Sequence, residues 1–229
     1  MLALKTAVAL ILTAVLAALC YFFADQPVAW FVYRHRCIPY ESLLFLAAAS
    51  EWMKHFAIVA ILLVVAWRAW KRGGRVQTVL LAISANLIVT TALKQFLKWG
   101  FGRYWPETWT QDMPSLIGSG DYGFHPFHYG AAYESFPSGH AAVVFSVIAI
   151  LWLSYPRWRW LYATICGSLA AALVGLNFHF VGDVIAGATL GSITGIYIAR
   201  RFGLDRPRHC VWPQSCENAE ADVSQCGNN

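Results

Sequence analysis

Six apolar stretches separated by polar and basic segments set the pattern of this chain, at about 2–24, 42–67, 76–93, 139–155, 160–176 and 184–199. Crossing a bilayer takes roughly 20 helical residues, fewer where protein or headgroups cover the ends, so all six qualify as spans. The second carries Glu51, Lys54 and His55, read as lying in its outer half or facing other helices. The pattern predicts an all-α, polytopic integral membrane six-helix bundle over residues 1–204. A polar tail, 205–229, has two prolines and no apolar period and is expected to be disordered.

Composition sharpens this picture. The chain is 58% hydrophobic and 13% charged, against about 25% charged in soluble globular proteins, which argues against a soluble all-helical core. The placement of charge then gives an orientation. Lys5, Arg68, Lys71, Arg72, Arg75, Arg157, Arg159, Arg200, Arg201, Arg206 and Arg208 fall on the side of both termini, while Arg34, Arg36, Lys98 and Arg103 fall on the other. The positive-inside rule puts the first group in the cytoplasm, and an even number of spans agrees with it. The first apolar run is longer than a cleaved signal usually has, no small-x-small site precedes Asp25, and Leu19 is too large for a lipoprotein box before Cys20, so it is read as an uncleaved anchor. The six cysteines show no metal spacing. Cys210, Cys216 and Cys226 are expected to be reduced in a cytoplasmic tail. Cys20 and Cys37 both fall outward, which leaves a disulfide between them open.

One connection is long, the outward stretch of about 98–137. Long loops in compact domains are usually functional. This one holds Arg103, Trp105, Glu107, Trp109, Asp112, Asp121, His125, His128, Tyr129, Tyr133 and Glu134, with Gly118, Gly120, Gly123 and Gly130 to let it turn. It also reads as an aromatic cap at the membrane surface, and the two readings are compatible.

Three outward segments carry chemistry. The first runs from Lys98 through Arg103 and Trp105 to Pro106. In the second, Pro137-Ser138-Gly139-His140 opens a helix. Proline suits a first helical turn, and the unpaired N–H groups at a helix start make an anion site beside a hydroxyl and an imidazole. An isolated Ser-Gly-His would be read as a plain N-cap. In the third, His179 and Asp183 are four apart, on one face if helical. A carboxylate on one imidazole nitrogen fixes the tautomer and raises the nucleophilicity of the other. A His–Asp pair can also merely satisfy itself, but inside a membrane domain charged pairs are expensive and usually functional.

Together these segments resemble the type 2 phosphatidic acid phosphatase family, which includes bacterial lipid phosphatases and vanadium haloperoxidases. That pattern is Lys, six residues, Arg-Pro; then Pro-Ser-Gly-His; then Ser-Arg, five residues, His, three residues, Asp. Lys98, Pro106, Pro137 to His140, His179 and Asp183 match it in order and spacing, over roughly residues 93–199. Two arginine positions depart, Trp105 and Leu173 standing where the family has phosphate-binding arginines; beside the second, Ala172 stands where it has serine. Arg103, two residues before Trp105, is the expected substitute; Lys94, Lys54, His125 and His128 are weaker ones.

The resemblance implies that His179 attacks phosphorus and forms a phosphohistidine, oriented by Asp183. His140 would protonate the leaving alkoxide and then activate water. Lys98, Ser138, the Gly139 N–H and Arg103 would hold phosphate oxygens, and Trp105, His125, His128 and Lys94 could touch the headgroup. The expected substrate is a lipid phosphate or pyrophosphate at the outer face of a bacterial inner membrane, with membrane lipids as the surroundings, no cofactor, no metal and no nucleic acid. Two alternatives stay open: a lipid phosphotransferase, whose less charged phosphodiester donor would need fewer arginines, and a non-catalytic lipid-binding protein. Haloperoxidase activity is disfavoured because vanadate needs the missing positive charge even more.

Overall fold

The computed structural model describes residues 2–35, 74–108 and 113–205. The expected second span, the Cys37 half of the open cysteine pair and the tail from 206 lie outside them. The described residues are helical, with isolated β-bridges only. The elements are α1 (Leu2–Leu19), α2 (Asp25–Arg34), α3 (Arg75–Phe101), a short α4 (Leu116–Ser119), α5 (Gly139–Ser154), α6 (Arg159–Gly175) and α7 (Val181–Arg201).

The first helix runs past its apolar stretch. A π-helical turn, Cys20–Ala24, joins α1 to α2, so one helical rod spans Leu2–Arg34. Pro27 explains the irregularity: it has no N–H to give, and its ring crowds the preceding turn. Single π turns often sit at functional sites, and here the turn ends on Asp25, a carboxylate 1% exposed.

α3 extends two turns beyond the apolar run, past Lys94 and Lys98, and stops at Gly102. Gly102 is left-handed (φ 56°), its N–H reaches Lys98 O at 2.8 Å, and a Cβ there would meet the His125 backbone oxygen at 1.9 Å. Only glycine fits that approach.

The membrane core is the contact of α5 with α7. Gly187, Gly191 and Gly195 recur every fourth residue along one face of α7. A Cβ on them would lie 2.3, 2.2 and 2.3 Å from the carbonyl oxygens of Ser138, Ala142 and Ser146. Small residues let helix backbones approach closely where lipid gives no hydrophobic drive. Even alanine at Gly191 would push the helices apart, at about 1–3 kcal/mol for overpacking.

Contacts at the two ends fix the direction of each helix. Arg75 Nη2 donates to Ser154 O (3.1 Å), and Thr6 Oγ1 pairs with Tyr197 OH (3.2 Å). At the other end Ser138 N–H donates to Asp183 O (3.0 Å) and Gly182 N–H to Asp25 Oδ1 (3.0 Å). α1, α3 and α5 to α7 therefore alternate in direction wherever the chain is continuous. Lys5, Arg75, Arg157, Arg159, Arg200 and Arg201 lie toward one end; Lys98, His140, His179 and Asp183 gather at the other. The outer surface is apolar: Ile11 is 64% exposed, Ile88 64% and Phe96 63%. Three helices, Leu2–Arg34, Arg75–Phe101 and Val181–Arg201, are long and apolar enough to cross a membrane. The chain is an integral membrane protein.

Candidate active site

Pro137 precedes α5 rather than occupying its first turn, because the Phe136–Pro137 bond is cis and Ser138 is the N-cap. Ser138 Oγ accepts from Ala141 N–H (3.3 Å), leaving Gly139 and His140 in the first turn. The helix therefore opens on Gly139 and His140, one residue later than the proline rule placed it.

His179 is likewise not on a helix with Asp183. It sits in the turn before α7, where Asn177 is left-handed (φ 54°) and Phe180 is the N-cap. The Phe178 and His179 N–H groups both donate to Leu173 O, at 3.0 and 3.2 Å. Asp183 occupies the third position of α7 and accepts the N-cap Phe180 N–H (3.1 Å). A carboxylate there is favoured by the helix dipole.

The two histidines meet: His140 Nδ1 lies 3.4 Å from His179 Nε2. Behind them His179 Nδ1 lies 3.8 Å from Asp183 Oδ2. That is too long for a hydrogen bond but within strong Coulombic reach, and Nδ1 has no hydrogen-bond partner of its own. Catalytic hydrogen bonds are often long before substrate binds and tighten in the complex. Burial holds the His179 imidazole below its usual pKa, partly offset by the Asp183 carboxylate, with Lys98 lowering it further. Ser135 Oγ, unremarked in the sequence reading, donates to Asp183 Oδ2 at 2.6 Å.

Lys98 and Lys94 converge on the start of α5. A Cβ on Gly139 would lie 3.2 Å from Lys94 Nζ and 3.7 Å from Lys98 Cε. Lys98 is 9% exposed and pairs with Glu134 at 3.4 Å. Trp105 lies between Lys98 and His179: its ring is 5.1 Å from the His179 ring and 5.6 Å from Lys98 Nζ, and its N–H is tied to Ala131 O at 2.6 Å. Leu173, in the other arginine position, is fully buried among Ala141, Val144, Leu169, Leu176 and Val184. That position is apolar core and offers no charge.

Arg103 is placed differently from its expected role. It is 1% exposed, with Nη1 on Asp183 Oδ1 (2.5 Å) and Nη2 on Asp25 Oδ2 (2.7 Å) and Tyr122 OH (3.0 Å). Tyr21, Phe124 and Phe180 rings enclose its guanidinium, the last at 4.3 Å. With both terminal nitrogens committed to carboxylates, it stands behind Asp183 rather than beside a phosphate oxygen, and its pKa is raised by the Asp183 and Asp25 charges against the lowering effect of burial. The His125 and His128 rings pack with each other and with Tyr133, and His125 also with Tyr104. No cluster of three or more His, Cys, Asp or Glu suited to a metal ion occurs among the described residues.

Paired histidines thus gather at one end of a helical membrane bundle, with a buried carboxylate behind them and lysines before them. The chain belongs to the PAP2 superfamily, whose model matches residues 77–206. It is 31% identical over 132 residues to a lipid A 1-phosphatase of Rhizobium etli, covering 56% of this chain and 54% of that one. The chain thus spans about half the length of the curated relatives it matches first. It is 43% identical over 63 residues to an undecaprenyl-diphosphatase of Sulfolobus acidocaldarius, covering 25% of this chain and 29% of that one. In fold it is similar to the crystal structure of a transmembrane PAP2-type phosphatidylglycerolphosphate phosphatase from Bacillus subtilis. The TM-score is 0.55 at 15% identity, over 89% of this chain and 98% of that one.

Proposed function

We propose that this protein hydrolyses a lipid phosphate monoester or pyrophosphate through a phosphohistidine on His179. The observation that carries the reading is the His140–His179 contact at 3.4 Å, backed by buried Asp183. An attacking nitrogen needs to come within about 3–3.5 Å of phosphorus, so the substrate phosphate takes the place of that contact and separates the two rings. His179 Nε2 then bonds to phosphorus as the bond to the lipid oxygen breaks, and His140 gives that oxygen its proton. His140 next takes a proton from water, which attacks phosphorus and frees His179 and phosphate. Lys98, Lys94, the Ser138 hydroxyl hydrogen and the Gly139 N–H hold the equatorial oxygens where charge develops. The names of the relatives, a lipid A 1-phosphatase and an undecaprenyl-diphosphatase, support a lipid phosphate as the substrate class.

One observation favours a second reading. Among the described residues, Trp105 and Leu173 leave two lysines and no arginine at the phosphate, which suits a donor of lower charge such as a phosphodiester passing its group to a hydroxylated acceptor. Purified protein is offered a panel of lipid phosphates and pyrophosphates in mixed micelles, with and without a hydroxylated lipid acceptor. Phosphate release without the acceptor is expected. Turnover only with the acceptor would replace hydrolysis with transfer.

The site is further proposed to face outward from the cytoplasmic membrane, with both termini inside. The basic residues at the opposite end of the bundle support this. In a background without native cysteines, Ser119→Cys is expected to react with a membrane-impermeant maleimide on intact spheroplasts, and Asp205→Cys only after lysis. Labelling of both from the same side would overturn the orientation.

A further inference from the structure

The buried cluster behind Asp183 contains a carboxylate that the phosphate-transfer chemistry has not yet used. Asp25 lies on the first helical rod, outside the 77–206 stretch that matches the family model. It is 1% exposed, and its two oxygens have separate partners: Oδ1 accepts Gly182 N–H at 3.0 Å and Oδ2 accepts Arg103 Nη2 at 2.7 Å. The approach is tight on both sides. A Cβ on Gly182 would lie 3.2 Å from Asp25 Oδ2 and 3.3 Å from Cys20 Cβ. The π turn and Pro27 together present Asp25 to the start of α7.

Charge arithmetic shows what Asp25 adds. Arg103 alone would neutralise Asp183, because a guanidinium on a buried carboxylate forms a strong charge-assisted bond. A neutralised Asp183 would be a poor partner for the positive charge that builds on His179 as it becomes phosphohistidine. Asp25 supplies a second negative charge to the same guanidinium. The three groups then sum to −1, and the Asp183 oxygen not bound to Arg103, Oδ2, lies 3.8 Å from His179 Nδ1. The aromatic rings around Arg103 keep water away, so the surplus is less screened than at a surface.

We propose that Asp25 is a positioning residue for the reaction: through Arg103 and the Gly182 amide it fixes Asp183 behind His179 and leaves its negative charge available to the nucleophile. The N-terminal helix is then part of the catalytic apparatus rather than only an anchor. The inference rests on the phosphatase reading of the site, but one of its readouts does not.

The groups facing His179 are His140 from α5, Lys98 from α3 and Asp183 from α7, with Arg103 and Asp25 behind. Asp25→Asn keeps the shape and an acceptor for Gly182 N–H while removing one charge. In the full-length protein in nanodiscs it is expected to lower kcat tenfold or more, with KM within twofold. The His179 signal in 15N-histidine spectra, assigned by its loss in His179→Gln, is expected to titrate at lower pH than in the unsubstituted protein. The double variant Asp25→Asn/Arg103→Gln removes one charge of each sign. It is expected to bring the His179 titration back toward its original pH and to be faster than Asp25→Asn alone. A merely structural Asp25 would lower thermal stability in both variants, leave the His179 titration in place and make the double variant no better than the single. Unchanged kcat and titration in Asp25→Asn, or a double variant slower than the single, would overturn the proposal. Absence of phosphate release by the unsubstituted protein would instead count against the phosphatase reading, and the titration would still decide the role of Asp25.

Discussion

His179→Ala is expected to reduce phosphate release from lipid phosphates by on the order of 10⁴-fold or more, with the protein still folded. Removing the imidazole takes away the atom that bonds to phosphorus, the ring nitrogen that lies 3.4 Å from His140. The fold should tolerate the change, because the His179 side chain makes no buried hydrogen bond at Nδ1, and the turn that carries it is held by backbone bonds to Leu173 O. His140→Ala should be comparably slow, since the leaving oxygen loses its proton donor. The pH profile gives a second handle. Burial holds the His179 pKa below the ordinary value, so the neutral, nucleophilic form persists as pH falls. The acid limb of kcat/KM that reports His179 should therefore lie below about 6.5, the value of an unperturbed histidine. Activity close to the unsubstituted level in His179→Ala would remove it as nucleophile.

The second large effect falls on stability. Arg103→Met is expected to lower the stability of the bundle by about 3–5 kcal/mol, the usual consequence of leaving a buried charge without its partner. Two are left here, Asp25 and Asp183, both buried. Thermal unfolding in detergent should shift down markedly, and activity should fall with it. A phosphate-binding arginine predicts the opposite split: Arg103→Lys would slow turnover while the melting temperature barely moved. Measuring melting and turnover together on Arg103→Lys and Arg103→Met separates the two roles. A stable but slow Arg103→Met would return Arg103 to the phosphate.

The gap between these two roles marks where the sequence stops being legible. Apolar runs and motif spacing suffice for the helical membrane architecture and for bringing Lys98, Ser138, Gly139, His140, His179 and Asp183 to one end, since each stands at or beside a helix end. Arg103 was misplaced because its two carboxylate partners lie 78 and 80 residues away in sequence, and no local period links them. Asp25 did leave a signal, a lone carboxylate two residues before a proline at the end of an apolar run, but that reads equally well as a helix boundary. Ser135 had none beyond its nearness to the Pro-Ser-Gly-His segment. The glycines at 187, 191 and 195 are the reverse case: their spacing of four was plain in the sequence, and it marks the α5 contact that holds Ser138 against Asp183. Trp105 and Leu173 stand out in the sequence as missing arginines, but only packing shows that one lies against His179 and the other in the core.

The central claim is that phosphate passes through His179. Purified protein is mixed with a lipid phosphate carrying labelled phosphorus, quenched within milliseconds into alkali and digested, and the labelled peptide is located by mass spectrometry. A phosphoramidate on His179, stable in base and lost in acid, is the predicted result, enriched in His140→Ala if the second step slows more than the first. Steady phosphate release with no labelled protein, or with the label on another residue, would contradict it.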